Sequence, residues 1–276
     1  MSNEKTISLP IEGRTRTFLI HYPKKWKGEK IPLIIALHGR LGNGAYMINQ
    51  TKLDVLSDEK NVIVVFPDGF RRSWADGRGS TPADEHKVND VRFIESVAKY
   101  MIQEGSVDPS FIFLLGHSNG GFMAQRLALE KPELWRGVLS VSSQLSVFAL
   151  KLKTPKTPVS VGILVGTADP IVPYSGGYVK DGGEILSAED SFLRWKNWNG
   201  CEGEKKETVT TPEEGLRIET ITYSGCNANT KIKLYKMIGV GHVWPGEKPM
   251  FKYWDKGIQL KTVQGSDFVW DFFSSL

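Results

Sequence analysis

Short apolar runs, each followed by a loop rich in Gly, Asp or Pro, recur along much of the chain. A continuous apolar run bounded by turn residues is typical of a strand buried on both faces, as in a mostly parallel sheet. The runs that predict strands are 32–38, 62–66, 111–115 and 161–165, with the β-former-rich 14–20 and the strand-like 232–238 beside them.

Amphipathic patterns lie between these runs. Val91, Ile94 and Val97 recur at spacings of three, which places them on one apolar stripe of a helix. The predicted helices are 89–103, 119–130, 187–198 and 262–273. Buried strands that alternate with such helices predict an α/β fold, with a mostly parallel central sheet and helices on both faces.

The length of 276 residues accommodates one sizeable core but is short for two full domains. We therefore expect a single domain over 1–276. A Gly-, Asp- and Ser-rich insertion at 71–88 is expected to form a long loop over the site. Ligands of parallel α/β sheets bind beyond the carboxyl ends of the strands, so the functional site is expected at that edge.

The charge pattern argues against nucleic-acid and membrane partners. The net charge is +4, and Lys and Arg are spread along the chain rather than gathered on one face or stripe. The charged cluster at 202–207 is interpreted as a solvated loop. The apolar runs are too short to cross a bilayer. The oligomeric state stays open.

The N-terminal residues lack the basic region and apolar stretch of a secretory signal. This favours a cytoplasmic protein as the sequence stands, or a secreted or periplasmic one whose leader was removed. The two cysteines, Cys201 and Cys226, show no Cys-x-x-Cys spacing. They are either two buried thiols or a clip on the intervening loop, and a disulfide would indicate an oxidising compartment.

The strongest chemical signal is the sequence Gly116-His-Ser-Asn-Gly120. Gly-x-Ser-x-Gly alone is a weak match, but here it joins an apolar strand to an amphipathic helix, as a nucleophile elbow does. The two glycines let strand and helix pass closely while Ser118 takes a strained turn. The alternative is a serine that merely caps the helix.

A serine nucleophile needs a base, and His242 is the one histidine downstream of Ser118, in a glycine-rich loop after a predicted strand. The acid of such a triad follows a strand after the elbow helix, a position that Asp169 occupies. Asp169 would hold the histidine tautomer and stabilise the imidazolium. A turn-capping aspartate is the alternative, and Asp181 and Asp190 are the rival acids.

The oxyanion hole of this arrangement needs two backbone donors. One is expected from Asn119, the residue after the nucleophile, and the other from the loop that begins at His38. Arg40 is the first candidate there and Leu41 the fallback.

Two tryptophans are near these loops in sequence. Trp74 and Trp244 could stack on a phenolic or sugar-linked acyl group, or could instead pack a loop onto the core. The Arg40 side chain could pair with a substrate carboxylate, or could be an ordinary surface arginine.

Nine short motifs occur in a fixed order along the chain. Together they resemble the polyhydroxybutyrate depolymerase and feruloyl esterase group of the α/β-hydrolase superfamily, over nearly the whole chain. The motifs are Leu37-His-Gly39, Phe66-Pro-Asp-Gly69, Trp74, Asn89-Asp-Val91, Val107-Asp-Pro109, Gly116-His-Ser-Asn-Gly-Gly121, Asp169-Pro-Ile-Val-Pro173, Asn199-Gly-Cys201 and Gly241-His-Val-Trp-Pro-Gly246.

The resemblance implies an α/β-hydrolase fold, a Ser118–Asp169–His242 triad and a disulfide between Cys201 and Cys226. This sequence departs from the group at two positions. It has His117 where leucine is more usual, and it has the bulky cation Arg40 where small or apolar residues are frequent. Many relatives are also exported.

We therefore expect a serine carboxylic ester hydrolase that forms an acyl-enzyme and needs no metal or organic cofactor. Its substrate would be a small-molecule or oligosaccharide ester, either a feruloyl- or acetyl-carbohydrate or a hydroxyalkanoate. The alternatives are a peptidase or lactone hydrolase of the same fold and a non-catalytic ligand-binding relative.

Overall fold

A computed structural model describes residues 3–152, 154–248, 257–258 and 260–276. Its dominant element is a ten-stranded sheet, beside which lies a small two-stranded hairpin. In chain order the strands are β1 (Glu4–Ile11), β2 (Arg14–His21), β3 (Ile31–Leu37), β4 (Ile63–Pro67), β5 (Val107–His117), β6 (Gly137–Val141), β7 (Ser160–Gly166), β8 (Gly177–Tyr178), β9 (Glu184–Ile185), β10 (Lys205–Glu213), β11 (Leu216–Tyr223) and β12 (Ile232–Ile238).

Helices lie between most of the successive parallel strands of the large sheet, and one follows the last strand. They are α1 (Gly44–Thr51), α2 (Leu53–Lys60), α3 (Pro82–Glu85), α4 (Asp90–Glu104), α5 (Asn119–Glu130), α6 (Ala188–Trp198) and α7 (Gly265–Phe273). Short 3₁₀ turns occur at Phe70–Arg72, Pro132–Leu134, Val147–Lys151 and Asn227–Asn229. In the part of the chain that the structure describes, no helix has the length and apolar character that crossing a bilayer requires.

The strand order of the large sheet is β1-β2-β4-β3-β5-β6-β7-β12-β11-β10. The strands from β4 to β12 in this order run parallel, and an antiparallel pair flanks them at each edge. At the centre, Leu37 of β3 pairs with Gly116 of β5. The loop that follows β3 therefore lies beside the turn that follows β5, at the carboxyl edge of the sheet.

Each face of the sheet is covered by helices. Apolar side chains of α4, α5 and α6, such as Ile94 and Trp195, form one buried cluster against it. Side chains of α1, α2 and α7, such as Met47 and Phe272, form a second cluster on the opposite face. The predicted α/β fold, with a mostly parallel sheet between two layers of helices, is confirmed.

The strongly patterned elements agree with the sequence to within a few residues. Helices α1 and α2, by contrast, were not anticipated, because each has only eight residues and is too short for an extended apolar repeat. The interpretation of 202–207 as a loop was wrong for its second half, because β10 begins at Lys205. Backbone pairing with β11 keeps this exposed, polar strand in the sheet. The insertion at 71–88 is irregular apart from the end of one 3₁₀ turn and the short α3.

Candidate active site

Ser118 lies in a sharp turn between β5 and α5. Its backbone has φ 53° and ψ −119°, a conformation that side-chain-bearing residues rarely adopt. The Ser118 N–H donates to the Val141 carbonyl over 2.8 Å, which ties the turn to the neighbouring strand. A Cβ at Gly116 would lie 2.1 Å from the carbonyl oxygen of Gly120. The two glycines therefore permit the close passage that the strained turn requires.

His242 lies between Ser118 and Asp169. Its Nε2 is 2.9 Å from Ser118 Oγ, and its Nδ1 is 2.7 Å from Asp169 Oδ2. The ring is buried. The Ser142 hydroxyl donates to the carbonyl of Val243 over 3.1 Å, which fixes the backbone of the histidine loop. An imidazole held between a hydroxyl and a carboxylate has the geometry to accept the hydroxyl proton.

Asp169 follows β7 and is itself held by the backbone. Its Oδ1 accepts hydrogen bonds from the amides of Ile171 and Val172, each at 2.8 Å, so Oδ2 is directed towards His242. The two rival acids are bonded elsewhere. Asp190 accepts from the Ser187 hydroxyl at the start of α6, and Asp181 pairs with arginine side chains.

The loop after β3 passes directly beside the nucleophile. A Cβ at Gly39 would lie 3.4 Å from Ser118 Cβ. The Leu41 amide donates to the Arg72 carbonyl over 2.8 Å and is therefore occupied. Within the described residues, the amides of Arg40 and Asn119 have no acceptor. Of the two candidates for the second donor, the geometry favours Arg40 over Leu41.

His38 supports this loop, a role that the sequence did not suggest. Its Nδ1 is 2.7 Å from the Gly39 carbonyl oxygen, and its Nε2 accepts from the Gly69 amide at 2.9 Å. These partners require a neutral ring with the proton on Nδ1. Burial lowers the pKa of His38 to about 4, which agrees with that tautomer.

The Arg40 side chain has a partner within the protein. Its Nη1 lies 2.9 Å from Oδ2 of Asp181, a residue in the turn between β8 and β9. Asp181 also accepts from Arg78, and Arg78 pairs with Asp76. Because the two carboxylates balance the two guanidinium groups, this network offers a substrate carboxylate no net positive charge. The idea that Arg40 receives such a carboxylate is therefore not supported.

The expectation that the two tryptophans stack on substrate is not met. Trp74 is 0% exposed and Trp244 is 1% exposed, so neither ring has a face for a ligand. The Trp74 indole donates to the His38 carbonyl over 2.8 Å. Trp244 packs against Gly265, where a Cβ would lie 2.3 Å from the ring. Both tryptophans pack loops onto the core, which was the alternative interpretation.

His117, the unusual residue of the elbow, stacks against His242. Their ring centroids are 5.7 Å apart with the planes inclined by 28°. The Nε2 of His117 is buried and has no hydrogen-bond partner among the described residues. Burial, with a smaller contribution from His242, lowers the pKa of His117 to about 3, so this ring is neutral at ordinary pH.

The remaining site expectations concern the cysteines and metals. The structure joins Cys201 to Cys226 in a disulfide between the end of α6 and the end of β11. In the described portion of the chain, no group of three or more His, Cys, Asp or Glu side chains has an arrangement that could hold a metal ion.

Residues 60–158 match the model of the prolyl oligopeptidase family, a span that contains the elbow but neither Asp169 nor His242. The chain is 28% identical over 266 residues to NocK of Nocardia uniformis subsp. tsuyamanensis, which is named as a candidate esterase. That alignment covers 86% of this chain and 72% of NocK. It is 29% identical to feruloyl esterase B of Piromyces equi over 82% of this chain, but spans only 42% of that enzyme. Feruloyl esterase D of Neurospora crassa is 26% identical, with 82% of this chain and 73% of that protein covered.

Among solved structures, acetyl xylan esterase from Aspergillus awamori superposes over 99% of this chain and 100% of its own, with a TM-score of 0.68 and 14% identity. S-formylglutathione hydrolase from Agrobacterium tumefaciens gives a TM-score of 0.56 at 15% identity, over 87% of this chain and 88% of its own. At these identities, the superpositions establish the α/β-hydrolase fold.

Proposed function

We propose that this chain, a carboxylic ester hydrolase of the feruloyl esterase group of the α/β-hydrolases, works through an acyl-enzyme on Ser118. The observation that carries the proposal is the unbroken hydrogen-bonded series from Ser118 Oγ through His242 to Asp169, with distances of 2.9 and 2.7 Å.

In this mechanism, Ser118 Oγ attacks the ester carbonyl while His242 Nε2 takes the hydroxyl proton. The same histidine then returns that proton to the departing alcohol, which leaves an acyl-serine. A water molecule, deprotonated by His242, attacks the acyl-serine and releases the acid. Asp169 holds the Nδ1–H tautomer and stabilises the imidazolium that forms in each half of the reaction.

The tetrahedral intermediates carry a negative oxygen, which we assign to the amides of Arg40 and Asn119. Asn119 follows Ser118 in the chain, and Arg40 follows Gly39, where a Cβ would lie 3.4 Å from Ser118 Cβ. The removal of one such donor typically costs about 2.7–4 kcal/mol of transition-state stabilisation. The neutral ring of His117 places no competing positive charge beside His242. The proposed reaction requires no metal or organic cofactor.

For the substrate, we propose a feruloyl or acetyl ester of a carbohydrate, with hydroxyalkanoate esters as the next class. The support is the set of relatives that are named as feruloyl and acetylxylan esterases. We further propose that 1–276 form a single catalytic domain, because the large sheet takes strands from Glu4 to Ile238.

The test is a panel of feruloyl, acetyl and 3-hydroxybutyryl esters, assayed with the wild-type chain and with Ser118→Ala. We expect hydrolysis of the feruloyl or acetyl ester that Ser118→Ala abolishes. Equal turnover by both proteins would contradict the proposal, because the reaction would then not depend on Ser118.

A peptidase of the same fold is the second candidate, since residues 60–158 match the prolyl oligopeptidase family. Both activities would use the same nucleophile, base and acid. Matched aryl esters and peptide anilides of one acyl group distinguish them. Faster turnover of the anilide would favour the peptidase.

A further inference from the structure

The two residues whose amides we assign to the oxyanion hole terminate a single series of polar contacts. At one end, Asn119 Nδ2 donates to Asp76 Oδ2 over 2.6 Å. Arg78 then bridges two carboxylates: its Nη2 lies 2.9 Å from Asp76 Oδ2 and its Nη1 lies 3.3 Å from Asp181 Oδ1. At the other end, Arg40 Nη1 lies 2.9 Å from Asp181 Oδ2. We call these five residues the oxyanion network.

The Asn119 end of the network is fully bonded. Besides its contact with Asp76, Nδ2 donates to the Trp74 carbonyl over 3.1 Å, and Oδ1 accepts from the Trp74 amide over 2.8 Å. The side chain of Asn119 therefore has one orientation, and the backbone amide of the same residue is held with it.

The middle of the network is hidden from solvent. The side chains of Asp76 and Arg78 are 0% and 1% exposed. Burial raises the pKa of Asp76, and the Arg78 guanidinium opposes that rise. Replacing a buried ion pair by well-packed apolar residues is often neutral or stabilising. A contribution to stability therefore explains poorly why this ion pair lies beside the active site. The planar guanidinium of Arg78 holds its partners in a fixed geometry, which explains the pair better.

We propose that Asp76, Arg78 and Asp181 are positioning residues that hold the amides of Arg40 and Asn119 at a fixed separation around the oxyanion. The proposal rests on the function proposed above. Oxyanion donors act at about 2.7–3.1 Å from the charged oxygen, so small displacements weaken binding of the transition state. A loosened network should therefore lower kcat and leave KM nearly unchanged.

The first test is Asp181→Ala, at the accessible end of the network. Glu219 provides a matched control, because it also bridges two cations, Arg217 and Lys236, and has 27% side-chain exposure against 28% for Asp181. Full-length wild type, Asp181→Ala and Glu219→Ala are compared for kcat and KM on p-nitrophenyl acetate. Competitive inhibition by phenylboronic acid, whose serine adduct is tetrahedral, is measured on the same proteins.

We expect Asp181→Ala to lower kcat about tenfold, less than the roughly 10²–10³-fold loss for a deleted donor. KM should change by less than about twofold, because ground-state binding does not use the oxyanion hole. Phenylboronic acid should bind more weakly in proportion to the loss of kcat, and Glu219→Ala should behave as wild type.

Asp76→Asn tests the buried end. It retains the side-chain shape but removes the charge that faces Arg78, and we expect kcat to fall by about 10²-fold. Circular dichroism and thermal unfolding show whether this variant folds. If it does not fold, the comparison of Asp181→Ala with Glu219→Ala decides the matter alone.

The proposal would be overturned if Asp181→Ala kept the wild-type kcat and the wild-type affinity for phenylboronic acid. If that variant also had a lowered melting temperature, the network would serve the stability of the fold alone. This outcome leaves the proposed function intact. A wild-type chain that hydrolyses none of the esters and forms no adduct at Ser118 would instead overturn the proposed function, and the positioning role with it.

Discussion

The two sides of Ser118 are built by different means. On one side, Ser118, His242 and Asp169 form the proposed catalytic relay, in which backbone amides hold Asp169 and Asp169 is hydrogen-bonded to His242. On the other side, that of the proposed oxyanion hole, contacts between polar and charged side chains, rather than backbone amides, hold the residues in place. The contact between Asn119 and Asp76 spans 43 residues, and that between Arg40 and Asp181 spans 141.

This difference affects what each side can tolerate. Each relay residue is placed by a turn or loop that follows a strand, and the sheet brings these segments together although their contacts span 73 and 124 residues of the chain. The oxyanion side depends on the insertion at 71–88 and on the hairpin of β8 and β9. Changes in either segment are therefore expected to affect transition-state binding without touching the relay.

The largest expected effects come from the relay. His242→Ala should lower kcat by about 10⁶-fold, because it removes the proposed base, and Asp169→Asn by about 10⁴-fold, because it favours the wrong histidine tautomer. Steady-state kinetics on one aryl ester measure both. If Asp169→Asn retained a tenth or more of the activity, Asp169 would not be the acid, and Asp181 and Asp190 would need to be tested next.

The elbow itself should be sensitive to a single methyl group. Gly116→Ala places a Cβ 2.1 Å from the Gly120 carbonyl oxygen, which only a shift of the backbone relieves. We expect the free energy of unfolding to fall by about 3 kcal/mol, at the upper end for an overpacked site. Urea denaturation measures this. The control is Gly13→Ala, where a Cβ meets nothing within 4 Å, although its φ of 75° carries its own smaller strain.

His117 should make the folded state sensitive to acid. The pKa of His117 is about 3 in the folded protein, against 6.5 ordinarily. Below pH 6.5, His117 therefore binds a proton in the unfolded chain but stays neutral in the folded protein. The stabilisation is complete above pH 6.5 and is lost as the pH falls towards 3, by about 2 kcal/mol at pH 5.

The variant His117→Leu removes this pH-dependent contribution to the free energy of unfolding. Its unfolding free energy should therefore decline less between pH 7 and pH 5 than that of the wild type, by the same amount of about 2 kcal/mol. His38 contributes equally to both proteins and cancels. Parallel pH profiles for the two proteins would show that His117 takes up its proton without unfolding.

The smallest effect concerns Trp74. Trp74→Phe deletes the indole hydrogen bond to the His38 carbonyl, which should lower the free energy of unfolding by about 1 kcal/mol. Because the ring is buried, the ratio of kcat/KM for feruloyl and acetyl esters should stay within about twofold of the wild-type ratio. A selective loss of the feruloyl ester would instead place this ring against the substrate.

The relay could be predicted from the sequence because each of its residues obeys a local rule. Ser118 lies between a strand and a helix, Asp169 follows a strand, and His242 is the one downstream histidine. The parallel sheet was also predictable, since its strands are continuous apolar runs. These patterns can be recognised in the sequence without any knowledge of long-range contacts.

The oxyanion network could not be predicted in the same way. Asp76 and Arg78 lie in a Gly- and Ser-rich loop, where charged residues are ordinarily solvated, and nothing in the sequence brings them to Asn119. The expectation that Trp74 and Trp244 stack on the substrate failed for the same reason. Nearness in sequence to an active-site loop does not say whether a ring faces the substrate or the core. Polar strand β10 was missed because its place in the sheet comes from backbone pairing with β11.

We propose above that Ser118, activated by His242, forms the acyl-enzyme. The most direct test of this proposal is mass spectrometry of the folded wild type and of His242→Ala after brief exposure to a fluorophosphonate, followed by peptide mapping. We expect a single adduct on Ser118 in the wild type and labelling at least about 10³-fold slower in the variant, since the hydroxyl then lacks its proposed base. Adducts elsewhere, or equal labelling rates in the two proteins, would contradict it.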